Sequence, residues 1–298
     1  MGRVSAFFSK NWQTLLFLVP AFLYLLGFLL IILYQVILLS VTRLTPAGQP
    51  FVTLDNYRAL VLSTELSQAL VNTSLFALVG TPLVLAFGLS SALLVNRAYR
   101  GVSLVRTAFI LPLAIPSLVT ATVLFIMFDF PGGHINDLLT GRYSFSPGFL
   151  TEPVNFRASA LTSLGVALGG KVWRDMPIAM LILLSGLNSI GRDLYEAAAV
   201  LGAGRLRSFF KITLPLLLPA ISIVLLLRAI EMWKEFIFPF ILAARFPMLA
   251  TLIERAYHEW NSPFMASALS LVLVAVTLVS SLILYYGLAF LRSRVTRA

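Results

Sequence analysis

The sequence predicts an all-α integral membrane protein with six transmembrane helices, and three observations predict it. Hydrophobic residues make up 59% of the 298 and charged residues only 11%, against about 45–50% and about 25% in soluble domains. Apolar runs long enough to cross about 30 Å of hydrocarbon, roughly twenty residues each, recur six times. Lys and Arg gather in alternate loops between those runs.

The first run, 14–41, is longer than the roughly 7–15 residue core of a signal peptide and no Ala-x-Ala site follows it, so a retained helix is expected. The others fall at 68–95, 104–128, 158–187, 215–243 and 264–290, within one transmembrane domain over 1–298. Their lengths suit helices rather than the shorter strands of a barrel. Pro20, Pro112, Pro116 and Pro177 lie inside spans, where neighbouring helices and local kinks accommodate them. Trp12, Tyr34, Tyr57, Trp260, Tyr285 and Tyr286 sit near span ends, as interfacial anchors do.

Orientation follows from cations. Arg3, Lys10, Arg97, Arg100, Arg106, Arg192, Arg205, Arg207, Lys211, Arg292, Arg294 and Arg297 would share one side, twelve in all. The opposite loops hold six, Arg43, Arg58, Arg142, Arg157, Arg245 and Arg255. The positive-inside rule places both termini and the 192–214 loop in the cytoplasm of a multi-pass protein. The net charge of +10 is then topological charge held against membrane lipid, and it calls for no nucleic acid. With zero Cys, disulfides and thiolate metal sites are excluded, and His134 and His258 lie in outer loops without carboxylate clusters. No metal, cofactor or catalytic constellation is expected.

The loop before the fifth run, YEAAAVLGAGRLRSFFKITLP from Tyr195 to Pro215, is polar and punctuated by Gly. Asp193 followed three residues later by Glu196 predicts a capped helix start. Ala197, Ala198 and Ala199 favour helix and let a facing protein come close to the backbone, while Gly202 or Gly204 can supply a left-handed end. A second short amphipathic helix, with Arg205, Arg207 and Lys211 among Leu206, Phe209, Phe210 and Ile212, is expected at the bilayer surface before Pro215 opens the fifth span.

The order Glu196-Ala197-Ala198, three residues, Gly202, nine residues, Ile212, one residue, Leu214-Pro215 fixes seven positions over twenty residues. It resembles the EAA signature of the membrane subunits of binding-protein-dependent ABC importers. Further stretches resemble the maltose and glycerol-phosphate permease group: Phe51 to Leu60, Asn72-Thr73, the LPLAIPSLV run with Pro112 and Pro116, Gly133 to Asn136, Val172-Trp173 with Pro177, and Gly186-Leu187. The resemblance implies a type I ABC importer permease fold in a bacterial or archaeal cytoplasmic membrane. It implies a second permease subunit, an ABC ATPase dimer that carries ATP and Mg, and an extracytoplasmic substrate-binding protein. It assigns ATPase coupling to Glu196, Ala197, Ala198, Gly202, Ile212, Leu214 and Pro215. No Gly-x4-Gly-Lys-Ser/Thr loop occurs in this chain, in keeping with a borrowed ATPase. The run Ile241 to Pro247 departs from the glycine-rich turn of the first permease subunit type, and Trp233 with Glu235-Phe236 is similar to the second type. Which of the two this chain is stays open.

Charges at membrane depth are the remaining signal. Lys171, Arg174 and Asp175 lie about 20 to 26 Å into the fourth span, and Arg228 lies about 20 Å beyond Pro215. Each costs about 2.5–3.5 kcal/mol at the bilayer centre and needs a partner. Helical spacing offers Lys171 with Asp175, Arg228 with Glu231, and Lys234 with Glu231. Structural pairs are one reading. The other is a polar substrate pathway through Lys171, Asp175, Arg228 and Glu231, whose excess of one cation, counting Arg174, points toward an anionic, phosphorylated or zwitterionic sugar derivative. The alternative function is an ion-coupled secondary transporter or channel, which buried charges permit but the EAA spacing does not explain.

Overall fold

The computed structural model describes residues 12–97, 99–146 and 148–295. Arg3, Lys10 and Arg297, counted above for orientation, lie outside them. The chain divides into two compact units, Met1–Leu62 with Ile253–Val272, and Ser63–Leu252 with Leu273–Ala298.

The first unit contains α1 (Trp12–Ser40), a small antiparallel hairpin of β1 (Thr42–Leu44) and β2 (Pro50–Val52), and α2 (Asp55–Leu62). Thr42 pairs with Val52 and Leu44 with Pro50. Buried Asn56 donates to the carbonyls of Ser40 and Thr42 at 2.9 and 3.0 Å, and the Tyr57 hydroxyl donates to Ser40 Oγ at 2.9 Å. The sugar-permease-like segment Phe51 to Leu60 therefore closes the end of α1. Tyr57, expected above as an interfacial anchor, is a hydrogen-bonded, half-buried residue.

The second unit holds α3 (Thr64–Val95), α4 (Val102–Ala114), α5 (Ser117–Met127), α6 (His134–Leu139), α7 (Ala160–Asn188), α8 (Arg192–Val200), α9 (Arg205–Trp233) and α10 (Ile237–Leu242). α11 (Leu249–His258) and α12 (Pro263–Val295) complete the order. Ser63 caps α3 by accepting from Leu66 N, and Ser159 caps α7 by accepting from Thr162 N. α7 is the central helix, packed along α3 and against α9, α5 and α10. Two glycines permit that closeness. A Cβ on Gly88 would stand 2.6 Å from Ala179 Cβ, and one on Gly186 would stand 2.9 Å from Ala220 Cβ.

Among the described residues four helices are long and apolar enough to cross a membrane: α1, α3, α9 and α12. The expected third span is broken. α4 and α5 are bent by 94° at Ile115-Pro116, because Pro116 blocks a continuous helix and pushes Ile115 into extended backbone, φ −89° and ψ 127°. If that bent pair is one span, the count is five. α7 has 29 residues and so the length to cross, but Lys171, Arg174 and Asp175 interrupt its apolar character.

The expected fifth span, 215–243, also needs correction. Its helix stops at Trp233, Lys234 to Phe236 leave helical geometry, and α10 follows as a separate helix. At the other end no separate amphipathic helix precedes the span. Arg205 to Trp233 is one helix, interrupted only by a π-helical turn at Phe209–Thr213. Pro215 gives the reason. It offers no N–H to the Lys211 carbonyl and its ring would clash with it, and a wider turn relieves both conflicts.

The loop between α5 and α7 is organised by buried Asn136, which donates to the carbonyls of Asp129 and Val154 and accepts from Val154 N at 2.8 Å. A Cβ on Gly133 would stand 2.5 Å from Asp129 N. Asn72 donates to the Pro247 carbonyl at 2.9 Å, and Thr73 Oγ1 accepts from Leu249 N at 2.9 Å. Both motif pairs read from the sequence thus have local structural work to do.

Candidate functional site

Two polar constructions stand out in the second unit. One is the turn between α8 and α9. α8 begins after Gly191, which caps it without a side chain, so Asp193 lies in the first turn and is not the cap the sequence predicts. As an acid near a helix N-terminus it still favours the dipole. The helix ends as the alanine and glycine pattern leads one to expect. Gly202 takes φ +74°, while Gly204 stays at −70°. Ala203 N donates to Ala198 O at 2.9 Å and Gly202 N to Ala199 O at 3.0 Å. These two bonds form a Schellman motif, which satisfies the last carbonyls of α8.

The hydroxyls of Tyr195 and buried Thr213 share a hydrogen bond of 3.0 Å across the two arms. Sequence reading missed this clip because the partners lie 18 positions apart. Glu196, Ala197 and Gly202 are exposed and Ala198 is half-buried, whereas Ile212, Leu214 and Pro215 are half-buried on the returning helix. The tip carries Val200 and Leu201 at 87% and 84% exposure. The seven motif positions are therefore an outward arm with bare apolar residues and a root that returns to the helical bundle.

The other construction is a charge cluster where α7, α9 and the start of α10 meet. Lys171 Nζ lies 3.0 Å from Asp175 Oδ2 and 2.7 Å from Glu235 Oε2. Arg228 Nη1 lies 3.3 Å from Asp175 Oδ2 and 2.7 Å from Glu231 Oε2. Arg174 Nη1 lies 3.3 Å from Asp175 Oδ1. Asp175 is the hub, facing three cations. Glu235 also accepts from Phe238 N at 3.2 Å, so it caps α10 while holding Lys171.

The cluster corrects two expectations. The pair of Lys234 with Glu231 is not among the described ion pairs. Lys234 is exposed at the non-helical end of α9, and Glu231 turns to Arg228 instead. The excess of one cation disappears as well. With Glu235 included, Lys171, Arg174 and Arg228 balance Asp175, Glu231 and Glu235. Helical spacing could not place Glu235, because it lies beyond the end of α9. Lys171, Asp175, Arg228 and Glu235 are buried, while the Glu231 side chain is 37% exposed and that of Arg174 24%.

A cavity of about 760 Å³ borders α7 on its other side, lined by Thr120, Leu124, Phe128, Gly165, Gly169 and Trp173 among others. At about 100° per residue, Gly165, Gly169 and Trp173 point away from Lys171 and Asp175. Its largely apolar wall offers few hydrogen bonds to a polar solute, so the charge cluster and this cavity are separate features of one helix.

Residues 84–297, which include both constructions, match the protein family described as binding-protein-dependent transport system inner membrane component. The chain belongs to that family. Over 241 residues it is 31% identical to the trehalose/maltose transport system permease protein MalF of Thermococcus litoralis, with 80% of this chain and 79% of that one covered. Over 247 residues it is 32% identical to the sulfoquinovosyl glycerol transport system permease protein SmoG of Agrobacterium fabrum, covering 80% and 77%. Over 294 residues it is 32% identical to the arabinooligosaccharides transport system permease protein AraP of Bacillus subtilis, covering 95% and 90%. A chain in the crystal structure of a bacterial ABC transporter involved in the import of the acidic polysaccharide alginate superposes with a TM-score of 0.82 at 21% identity, over 96% of this chain and 98% of that one. At that identity the likeness shows the fold. The polar turn between α8 and α9 and the buried charges are thus features of a membrane transport component.

Proposed function

We propose that this chain is one of two permease subunits of an ATP-driven ABC importer for a sugar or sugar derivative, working by alternating access. The transport families named for its relatives, for trehalose and maltose, sulfoquinovosyl glycerol and arabinooligosaccharides, support the saccharide class. In this reading the chain crosses a bacterial or archaeal cytoplasmic membrane six times, with the α4–α5 pair and α7 as two of the crossings. Both termini and the α8–α9 hairpin are cytoplasmic. A partner ABC ATPase dimer binds ATP and Mg, and an extracytoplasmic binding protein delivers the solute.

The observation that carries the reading is the hairpin itself. Its EAA positions lie on an exposed arm with bare Val200 and Leu201 at the tip, and its second arm is continuous with α9. A push on the tip is therefore delivered along a helix that ends in the charge cluster. Glu196, Ala197, Ala198 and Gly202 form the docking arm in this proposal, and Ile212, Leu214 and Pro215 form the root that transmits movement. The test is Glu196→Lys in the assembled transporter. It is expected to abolish substrate-stimulated ATP hydrolysis with the protein still inserted; unchanged coupling overturns the assignment.

For the solute we propose that Glu231 and Arg174, the two partly exposed members of the cluster, border the pathway. Lys171, Asp175 and Arg228, expected above beside Glu231, hold the helices that form it. The electrostatic reason for preferring an anionic, phosphorylated or zwitterionic sugar no longer stands once Glu235 balances the cluster. A neutral saccharide meets no net charge there.

A further inference from the structure

A second cavity lies at the hairpin end of the bundle, where α3, α7 and α9 meet α8. It measures about 740 Å³ and has two kinds of wall. Arg97, Arg205 and Asn96 are among its polar lining residues, and Leu93, Leu187 and Phe209 among its apolar ones. No carboxylate is among its lining residues. Neither arginine has an ion pair among the described residues, and both are exposed. Two arginines thus line one concavity whose lining holds no carboxylate.

The position adds a second constraint. Leu93 and Leu187 lie in the last turns of two long helices, α3 and α7, and Phe209 lies where α9 turns from its basic start into its apolar length. The cavity therefore sits at the level where membrane helices leave the hydrocarbon. A soluble anion would use only the basic residues. A phospholipid uses both, its phosphate meeting the planar, multiply donating guanidinium groups and its glycerol and upper acyl chain meeting the leucines and Phe209. Basic pockets between membrane helices suit anionic headgroups for this reason.

We propose that this cavity binds the phosphate headgroup of an anionic phospholipid through Arg97 and Arg205. The lipid bridges the end of α3 to the second arm of the hairpin, since Arg97 follows α3 and Arg205 opens α9. The hairpin's position then depends on the surrounding lipid as well as on the Tyr195 and Thr213 clip.

The test uses the full chain purified in detergent, given limiting phosphatidylglycerol, with retention read by native mass spectrometry. The wild type is expected to keep a bound lipid, and an Arg97→Gln/Arg205→Gln double variant to retain roughly tenfold less or worse. A control Arg100→Gln/Arg207→Gln variant, which removes two cations of the same surface outside the cavity lining, should behave as the wild type. Equal retention in the double variant, or none in the wild type, overturns the proposal. So does displacement of the lipid by inorganic phosphate, which makes this a soluble-anion site. A double variant that keeps its lipid but no longer co-purifies with an ATPase assigns the surface to that protein instead. None of the lipid readouts requires transport, so failure here is distinct from failure of the importer reading.

Discussion

At the scale of single residues, Gly202 and Asp175 make opposite kinds of demand. Gly202 is exposed and a Cβ there would meet nothing within 4 Å, so its constraint is the backbone φ of +74° alone. A β-branched residue in that left-handed conformation costs about 1–2 kcal/mol, whereas Asn adopts it more readily. Gly202→Val should therefore weaken ATPase coupling and Gly202→Asn largely keep it, as read by substrate-stimulated hydrolysis in reconstituted vesicles. Asp175 is constrained by its company. Converting it to Asn leaves three buried or half-buried cations with two carboxylates, and breaking such buried pairing typically costs about 3–5 kcal/mol. Glu231 is partly exposed, and Arg228 keeps Asp175 when Glu231 is neutralised. Glu231→Gln should cost less than about 1 kcal/mol while raising KM for uptake. Asp175→Asn should lower the thermal stability of the detergent-solubilised protein. An Asp175→Asn variant as stable as the wild type would show that the cluster does not hold the bundle together.

At the scale of elements, contacts across sequence separate what a linear reading finds from what it misses. Spacing led to Lys171 with Asp175, to Arg228 with Glu231 and to a left-handed glycine at 202 or 204, of which the structure has 202, because each is local and follows helix geometry. Pro116 signalled a kink, but a 94° bend depends on how α4 and α5 pack, which one proline does not encode. The pairing of Glu235 with Lys171 and the Tyr195–Thr213 clip were invisible for the same reason. One lies past a helix end, and the other joins two helices through a turn. These long-range contacts also give the sharpest test of hairpin mechanics. The Tyr195–Thr213 hydrogen bond should be worth about 0.5–1.5 kcal/mol, so Tyr195→Phe and Thr213→Val should each loosen the turn and together do little more than either alone. Hydrogen exchange along α8, in a double-mutant cycle, reads that coupling directly; strictly additive effects would mean the two hydroxyls do not act as a pair.

At the scale of the whole molecule, the number of crossings turns on α7. Its three charges make it too polar for an apolar span, yet it has 29 residues, about 43 Å of helix, and each of those charges has a partner within 3.3 Å. Paired in the protein interior, such charges no longer face lipid, and the cost that argues against insertion largely falls away. If α7 crosses, the loop at 148–159 and the hairpin tip lie on opposite sides of the membrane; if it does not, they share one side. The chain has no native Cys, so single introduced cysteines can decide between these arrangements without background. In intact cells an impermeant maleimide is expected to label Thr151→Cys and Ala244→Cys. Arg100→Cys, Val200→Cys and Ser293→Cys should label only after permeabilisation. Labelling of both Thr151→Cys and Val200→Cys from outside would remove α7 as a crossing and place the hairpin away from any cytoplasmic ATPase. The same result would end the proposed route from ATPase to α9, because that route needs the bare Val200 and Leu201 tip on the side where ATP is.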